Sequence, residues 1–152
     1  MITVNAASKT YAMTGWRLGY LAGPKEYIEQ CLKVHQYCQA CATSISQYAA
    51  LTAYTGPQEC VTDMKREYEA RRDYLYGELT RMGFSFPKPE GAFYIFAPLG
   101  KELTARILSR GVVIVPGEAF GCNAPEYARM SYATSRDNLH HAVDRIRKAT
   151  EG

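Results

Sequence analysis

The chain has 152 residues, of which 47% are hydrophobic and 22% charged, and its formal net charge is +3. These values are typical of a folded domain and exclude a disordered chain. The charge is too small to predict nucleic-acid binding, and no apolar run approaches the roughly 20 residues that span a bilayer. The start of the chain lacks the basic and apolar regions of a signal peptide, so we expect a cytoplasmic protein with no membrane partner.

In the first part of the chain, two short strands are followed by two helices. Two glycine-proline pairs, Gly23-Pro24 and Gly56-Pro57, mark where elements end. Pro24 also suits the first turn of a helix, and apolar residues recur at helical spacing after it. The predicted elements are strands at 2–4 and 16–22, with a loop between them, and helices at about 25–39 and 46–54.

The clearest helical pattern follows. An apolar stripe runs through Val61, Tyr68, Leu75 and Leu79, and Gly83 ends it. Thr134 or Ser135 can cap a final helix. The predicted elements of this part are helices at about 58–82, 101–110 and 135–148 and strands at 84–86, 91–96, 112–115 and 128–133.

The segment Ser8–Tyr20, SKTYAMTGWRLGY, carries the most chemistry. It holds one lysine, Lys9, and one arginine, Arg17, among small or apolar neighbours. A lysine in apolar surroundings is available as an amine nucleophile, and a guanidinium binds a phosphate through two parallel hydrogen bonds. Together they suit an aldehyde cofactor that carries a phosphate. The alternative, a basic glycine-containing loop beside a strand, leaves the joint Met-Thr-Gly-Trp-Arg run unexplained.

This segment resembles the cofactor-lysine signature of class I/II aminotransferases. These are fold-type I enzymes of the aspartate aminotransferase superfamily, and their cofactor is pyridoxal 5'-phosphate. The resemblance implies that Lys9 binds the cofactor covalently and is the catalytic base, while Arg17 and Ser8 bind the cofactor phosphate. Many members have Ser or Thr three residues before the lysine. This chain has Ala6 there, so Ser8 and Arg17 would carry more of the phosphate contact.

Later runs extend the resemblance. Arg129 is the only charged residue in a strand of Ala, Met, Ser and Tyr, so it either binds an anion or lies on an edge strand facing solvent. The resemblance implies that it binds the substrate α-carboxylate. Charged residues 71–73 are interpreted as an ion-paired, solvated helix face. The runs are Tyr68–Asp73 (YEARRD), Pro89–Tyr94 (PEGAFY), Pro116–Gly121 (PGEAFG) and Arg129–Ala133 (RMSYA).

The resemblance also implies an α/β fold class, the C-terminal part of the fold-type I transferase fold. Residues 1–56 would be the end of the large cofactor-binding domain and residues 57–152 the small α+β domain, with the helix near 58–82 joining the two. Family members are roughly two to three times as long as this chain. An amino acid and a 2-oxo acid are the implied substrates, and a homodimer is the implied state of the parent protein.

Three functions share these features. Transamination between an amino acid and a 2-oxo acid is favoured. Related lyases and synthases that use the same cofactor, such as C–S lyases and aminocyclopropane-carboxylate synthases, share the lysine and arginine positions. A non-catalytic sensor domain of a transcription regulator would need a basic helix-turn-helix, which this sequence does not show. The family's aspartate for the pyridine nitrogen, its stacking aromatic residue and its phosphate loop precede the lysine signature, so we expect the 152-residue chain alone to be inactive.

The five cysteines do not predict a disulfide framework. Cys38 and Cys41 form a C-x-x-C pair, and Cys31 and His35 share a helix face with Cys38. A metal or redox site is one interpretation. We favour a buried stripe of small side chains against a neighbouring helix, because no second cysteine pair follows at zinc-site spacing. No metal is expected.

Overall fold

The computed structural model describes residues 1–151 and divides into two compact units, Met1–Met64 and the part from Lys65 onward. The division falls inside a long helix, eight residues after the expected boundary at 56/57. The first unit contains β1 (Thr3–Ala6), α1 (Ala7–Thr10), β2 (Gly19–Ala22), α2 (Lys25–Cys38) and α3 (Ser44–Thr55). The helix α4 (Glu59–Arg81) crosses the division, and the second unit continues with β3 (Tyr94–Ala97), α5 (Lys101–Ser109), β4 (Val115–Pro116), β5 (Ala128–Ser131) and α6 (Arg136–Thr150).

In the first unit, β1 and β2 pair in antiparallel register, from Thr3 opposite Ala22 to Ala6 opposite Gly19. A side chain at Gly19 would place its Cβ 3.1 Å from the Asn5 carbonyl oxygen, so glycine allows the two strands to approach. The pairing has one consequence for the chemistry. The segment between the strands leaves and returns at the same end of this hairpin, and that segment carries both Lys9 and Arg17.

A small cluster of Ala7, Met13 and Ala50 forms the core of this unit. Thr43 caps α3, since its Oγ1 accepts a hydrogen bond from the Ser46 backbone N–H at 3.4 Å. Ser46 is itself buried, and its Oγ donates to the Trp16 carbonyl at 2.7 Å. The start of α3 is therefore tied to the segment between β1 and β2.

The second unit is built on a three-stranded antiparallel sheet with the order β3-β5-β4. Side chains alternate between its faces. Ile95, Ala97, Ala128 and Met130 are buried on one face, where they join a core that α4, α5 and α6 complete. The other face carries Tyr94, Phe96, Arg129 and Ser131, none of which is fully buried.

Two ion pairs join α4 to α6. Arg136 binds Glu67 through Nε at 2.9 Å and through Nη2, and Arg147 Nη2 binds Glu78 at 2.6 Å. Both arginines lie 69 residues after their glutamates. The pairs follow the same order along both helices, so α4 and α6 run parallel. Glu78 is buried and also accepts a bond from Arg81, which compensates its desolvation.

Helix positions agree with the sequence predictions to within a few residues, whereas the strands differ more. The strand expected at 16–22 begins only at Gly19, after a 3-10 helix at Thr14–Trp16, and the strand expected at 91–96 begins at Tyr94. Two further strands differ most. Residues 84–86 form no strand, and the strand expected at 112–115 is reduced to Val115–Pro116. The cause is the same in both places. Phe84 N donates to Leu79 O and Val112 N donates to Ile107 O, each just after a glycine at positive φ that ends the helix. These backbone N–H groups serve helix caps and are not available for sheet pairing.

Candidate active site

Lys9 lies on α1, the single helical turn that directly follows β1. The sequence predicts a loop here. Ala7 is buried and fixes the turn to the small core, which leaves Ser8 half-buried and Lys9 exposed. Lys9 is thus less enclosed than the predicted apolar pocket implies.

Arg17 follows a short 3-10 helix, Thr14–Trp16, and has left-handed backbone dihedrals, φ 53° and ψ 49°. This conformation is costly for a residue with a Cβ and persists only where neighbouring contacts fix it. Two contacts do so here. Arg17 Nη1 donates to the Thr14 carbonyl at 2.9 Å, and Ser46 Oγ holds the preceding Trp16 carbonyl.

Ser8, Lys9 and Arg17 line one cavity of about 850 Å³. Apolar side chains from β1, β2 and α2 form most of its remaining wall, among them Val4, Leu21 and Leu32. Cys31 and His35 of α2 also line it. The cavity therefore presents an amine, a hydroxyl and a guanidinium together with apolar surface. An aromatic aldehyde that carries a phosphate fits this set of groups.

Arg129 lies in the second unit, on β5, with β3 on one side and β4 on the other. The alternative of an edge-strand arginine is therefore wrong. Its half-buried side chain is on the sheet face opposite the core, directly across from Phe96.

The Arg129 guanidinium lies over two aromatic rings. Its Cζ is 4.5 Å from the centroid of the Tyr94 ring and 4.6 Å from that of the Phe120 ring. Phe120 ends the short 3-10 helix Gly117–Phe120. Within residues 1–151, no hydrogen bond or ion pair reaches this guanidinium. Its N–H groups can therefore bind an anion from outside the chain.

The structure thus brings Ser8, Lys9 and Arg17 together in one unit and places Arg129 in the other. Sequence reasoning missed Ser46 and Phe120. Ser46 contacts a carbonyl 30 residues earlier, and nothing in the local pattern indicates that contact. Phe120 lies in the run PGEAFG, whose resemblance to the family does not indicate a contact with Arg129.

The cysteine prediction is wrong in one respect. None of residues 25–38, all of them described, is buried, so Cys31 and Cys38 do not form a buried stripe. Across the described residues, no three His, Cys, Asp or Glu side chains lie close enough to hold a metal ion.

The family model described as "Aminotransferase class I and II" matches residues 1–146. The chain belongs to the class I and II aminotransferases. Members of this family generally use pyridoxal phosphate. The resemblance inferred from residues 8–20 is therefore confirmed.

Two curated relatives illustrate the similarity. The chain is 45% identical over 161 aligned residues to a probable aspartate aminotransferase of Methanocaldococcus jannaschii, covering 99% of this chain and 43% of that protein. It is 41% identical over 152 residues to a probable N-acetyl-LL-diaminopimelate aminotransferase of Bacillus subtilis, covering 95% of this chain and 39% of that protein. The chain spans about two fifths of the length of these relatives.

Solved structures of aminotransferases also match this chain. The aromatic aminotransferase of Pyrococcus horikoshii OT3 matches with a TM-score of 0.93 and 39% identity, over 99% of this chain and 42% of that one. The aspartate aminotransferase of Rhizobium meliloti matches with a TM-score of 0.90 and 38% identity, over 99% and 42%. The predicted fold class, the C-terminal part of the fold-type I transferase fold, is confirmed. Among the described helices, none is both long enough and apolar enough to cross a membrane.

Proposed function

We propose that this chain carries the cofactor lysine and the substrate arginine of a pyridoxal-phosphate-dependent aminotransferase, which moves an amino group between an amino acid and a 2-oxo acid. One observation carries the proposal. Ser8, Lys9 and Arg17, which the signature assigns to the cofactor, line the same cavity. A basic loop of unrelated purpose has no reason to place these three groups around one apolar-walled space.

Each residue has a role that follows from its chemistry. The Lys9 amine binds the cofactor covalently, and Arg17 and Ser8 bind its phosphate, the arginine through charge-assisted hydrogen bonds. When bound, pyridoxal phosphate supplies an aldehyde that combines with amines and a ring that accepts electrons from the substrate carbon. The guanidinium of Arg129, which lies over the rings of Tyr94 and Phe120, binds the substrate α-carboxylate and fixes the orientation of the substrate. The substrate amine takes the place of the Lys9 amine, and the freed Lys9 Nζ takes the proton from the substrate Cα and later returns a proton, as a general base and then a general acid.

The amino acid used is not assigned. The relatives carry the names aspartate, aromatic-amino-acid and N-acetyl-LL-diaminopimelate aminotransferase, so closely related chains differ in substrate. We propose a homodimer for the parent protein on the resemblance, and its cytoplasmic location remains an expectation from the sequence.

Phosphate-dependent labelling of Lys9 tests the proposal. The 152-residue chain is incubated with pyridoxal phosphate, reduced with borohydride and mapped by peptide mass spectrometry. We expect Lys9 to be labelled in preference to Lys25 and Lys33, which lie on an exposed helix face. Pyridoxal, which lacks the phosphate, should lose this preference, because Arg17 and Ser8 then have nothing to bind.

The matched variant is Arg17→Gln, which removes the charge without touching Lys9. It should reduce labelling of Lys9 severalfold and leave Lys25 and Lys33 unchanged. Labelling of all three lysines in proportion to exposure, unchanged in Arg17→Gln, would contradict the proposal.

We also expect no measurable turnover from the 152-residue chain in a coupled transamination assay. Lys9 is exposed here, so water reaches the amine and the site does not exclude solvent as a closed active site does. A stable absorbance band of bound cofactor together with turnover by this chain would contradict that expectation.

A further inference from the structure

Two aromatic rings lie close to the Arg129 guanidinium. The guanidinium Cζ lies 4.5 Å from one ring centroid and 4.6 Å from another, the rings of Tyr94 and Phe120. The two rings come from different parts of the unit, since Tyr94 begins β3 and Phe120 ends the short helix after β4. Two rings so placed hold the guanidinium more firmly than either ring alone.

We infer that Tyr94 and Phe120 are positioning residues that hold the Arg129 guanidinium ready for a carboxylate. The inference rests on the proposed function, in which Arg129 binds the substrate α-carboxylate. Aromatic faces attract the cation but accept no conventional hydrogen bond from its N–H groups. They therefore fix the side chain without using the donors that the carboxylate needs. A carboxylate or carbonyl partner in their place would compete with the substrate.

The backbone around Phe120 supports this role. A Cβ at Gly117 would lie 2.1 Å from the Ala124 carbonyl oxygen and 2.7 Å from that of Tyr127, so only glycine fits there. Gly117 N also donates to the Tyr127 carbonyl at 2.7 Å. The turn that carries Phe120 is therefore held in place by the chain segment that follows it, through these contacts of Gly117 with Ala124 and Tyr127. A held arginine loses less side-chain entropy on binding an anion than a mobile one.

The aromatic cluster extends beyond the pair and supplies a matched control. Phe96 packs edge-on against Phe120 at 6.0 Å and stacks on Tyr127 at 5.0 Å. Tyr127 and Phe120 are both partly exposed, at 37% and 50%, so replacing either by leucine removes little core packing. Tyr127 makes no ring contact with Arg129 in the described structure, whereas Phe120 does.

The experiment is an NMR titration of the ¹⁵N-labelled 152-residue chain with sodium acetate, against sodium chloride at equal ionic strength. The probe signal is the Arg129 side-chain Nε–H cross-peak, identified by its loss in Arg129→Lys. We expect this signal to be displaced upfield by the ring currents of Tyr94 and Phe120 and to move further with acetate but not with chloride.

Phe120→Leu should move the signal toward that of a free arginine and weaken acetate binding about two- to fivefold. Phe120→Tyr, which keeps the ring, should restore both, and Tyr127→Leu should change neither. Tyr94→Leu is the second variant and should act like Phe120→Leu; it carries the test if Phe120→Leu disturbs the fold. Tyr94→Phe should act like the wild type.

The two possible failures differ. If acetate moves the wild-type signal and binds Phe120→Leu and Tyr94→Leu with unchanged affinity, the positioning role is wrong while the carboxylate site stands. If acetate shifts the wild-type signal no further than chloride does, the carboxylate role of Arg129 itself is wrong. The positioning role of Tyr94 and Phe120 is then wrong as well.

Discussion

Gly117 shows how one residue type can be required by packing alone. Its φ is not in the left-handed region, so backbone freedom does not explain the glycine. The reason is the carbonyl oxygen of Ala124, which occupies the space where a Cβ would lie. Because a backbone oxygen cannot rotate away as a side chain does, the loop must shift to admit any other residue.

We therefore expect Gly117→Ala to lower the free energy of unfolding by about 1–3 kcal/mol, the usual cost of forcing extra atoms into a packed site. Urea unfolding followed by circular dichroism measures it. The control is Gly91→Ala, since a Cβ at Gly91 would meet no atom within 4 Å. Equal stability of Gly117→Ala and Gly91→Ala would show that the loop is free to move.

At the residue scale, the sequence predicted the groups that resemble a signature and missed those that act through distant contacts. The sequence predicts Ser8, Lys9 and Arg17 as one group, and all three line the same cavity. The left-handed backbone of Arg17 could not be predicted, because its cause includes a hydrogen bond from Ser46 to the carbonyl of Trp16, 30 residues earlier in the chain. The ligands of all four predicted site residues remain predictions.

At the scale of elements, helices were easier to predict than strands for a physical reason. The apolar stripe from Val61 to Leu79 and the closing Gly83 are local signals, and α4 ends within a residue or two of the prediction. Strand limits depend on which backbone N–H groups remain free. Phe84 and Val112 have strand-like side chains, but their N–H groups complete the caps of α4 and α5. Only the folded structure shows this competition.

The ion pairs between α4 and α6 predict a pH dependence. The hydrogen bonds from Arg136 and Arg71 lower the pKa of Glu67 from an ordinary 4.5 to about 2. A carboxylate whose pKa is lower in the folded chain stabilises that state fully above its unfolded pKa. The contribution is lost as pH falls from about 4.5 through about 2.

Glu67→Gln should therefore melt at a lower temperature than the wild type at pH 6, and the difference should close as pH falls from 4.5 toward 2. Thermal unfolding followed by circular dichroism at several pH values measures it. Glu102→Gln, at an exposed carboxylate that makes no hydrogen bond in the described structure, controls for the loss of one charge. A difference between Glu67→Gln and wild type that stays constant with pH would contradict the charged role of Glu67.

At the scale of the whole molecule, the first unit exposes an unusual amount of apolar surface. Tyr37, Val4, Ile45 and Tyr48 are each more than 70% exposed, and only three hydrophobic residues of this unit are buried. Exposed apolar patches of this kind mark surfaces that other protein covers.

We expect the 152-residue chain to self-associate through this surface, so that its weight-average mass in sedimentation equilibrium rises with concentration. Replacing Tyr48 and Leu51 of α3 by lysine should lower the association, because burying the charges is costly. Val113→Lys is the control, since Val113 is even more exposed than Tyr48 and Leu51 but lies in the second unit. If the α3 double variant and Val113→Lys associate alike, or if the wild type stays monomeric, the first unit is not the associating surface.

The parallel pairing of α4 with α6 affects how the chain folds during its synthesis. Each glutamate pairs with an arginine 69 residues later in the chain. The α6 residues that pack on Leu75 and Leu79 are therefore translated well after α4 itself. At a synthesis rate of about 5–20 residues per second, the wait is roughly 3–14 s. A helix forms in about a microsecond, so α4 has ample time to form before its apolar stripe is covered. During that interval the nascent chain offers the stripe to chaperones and to neighbouring nascent chains.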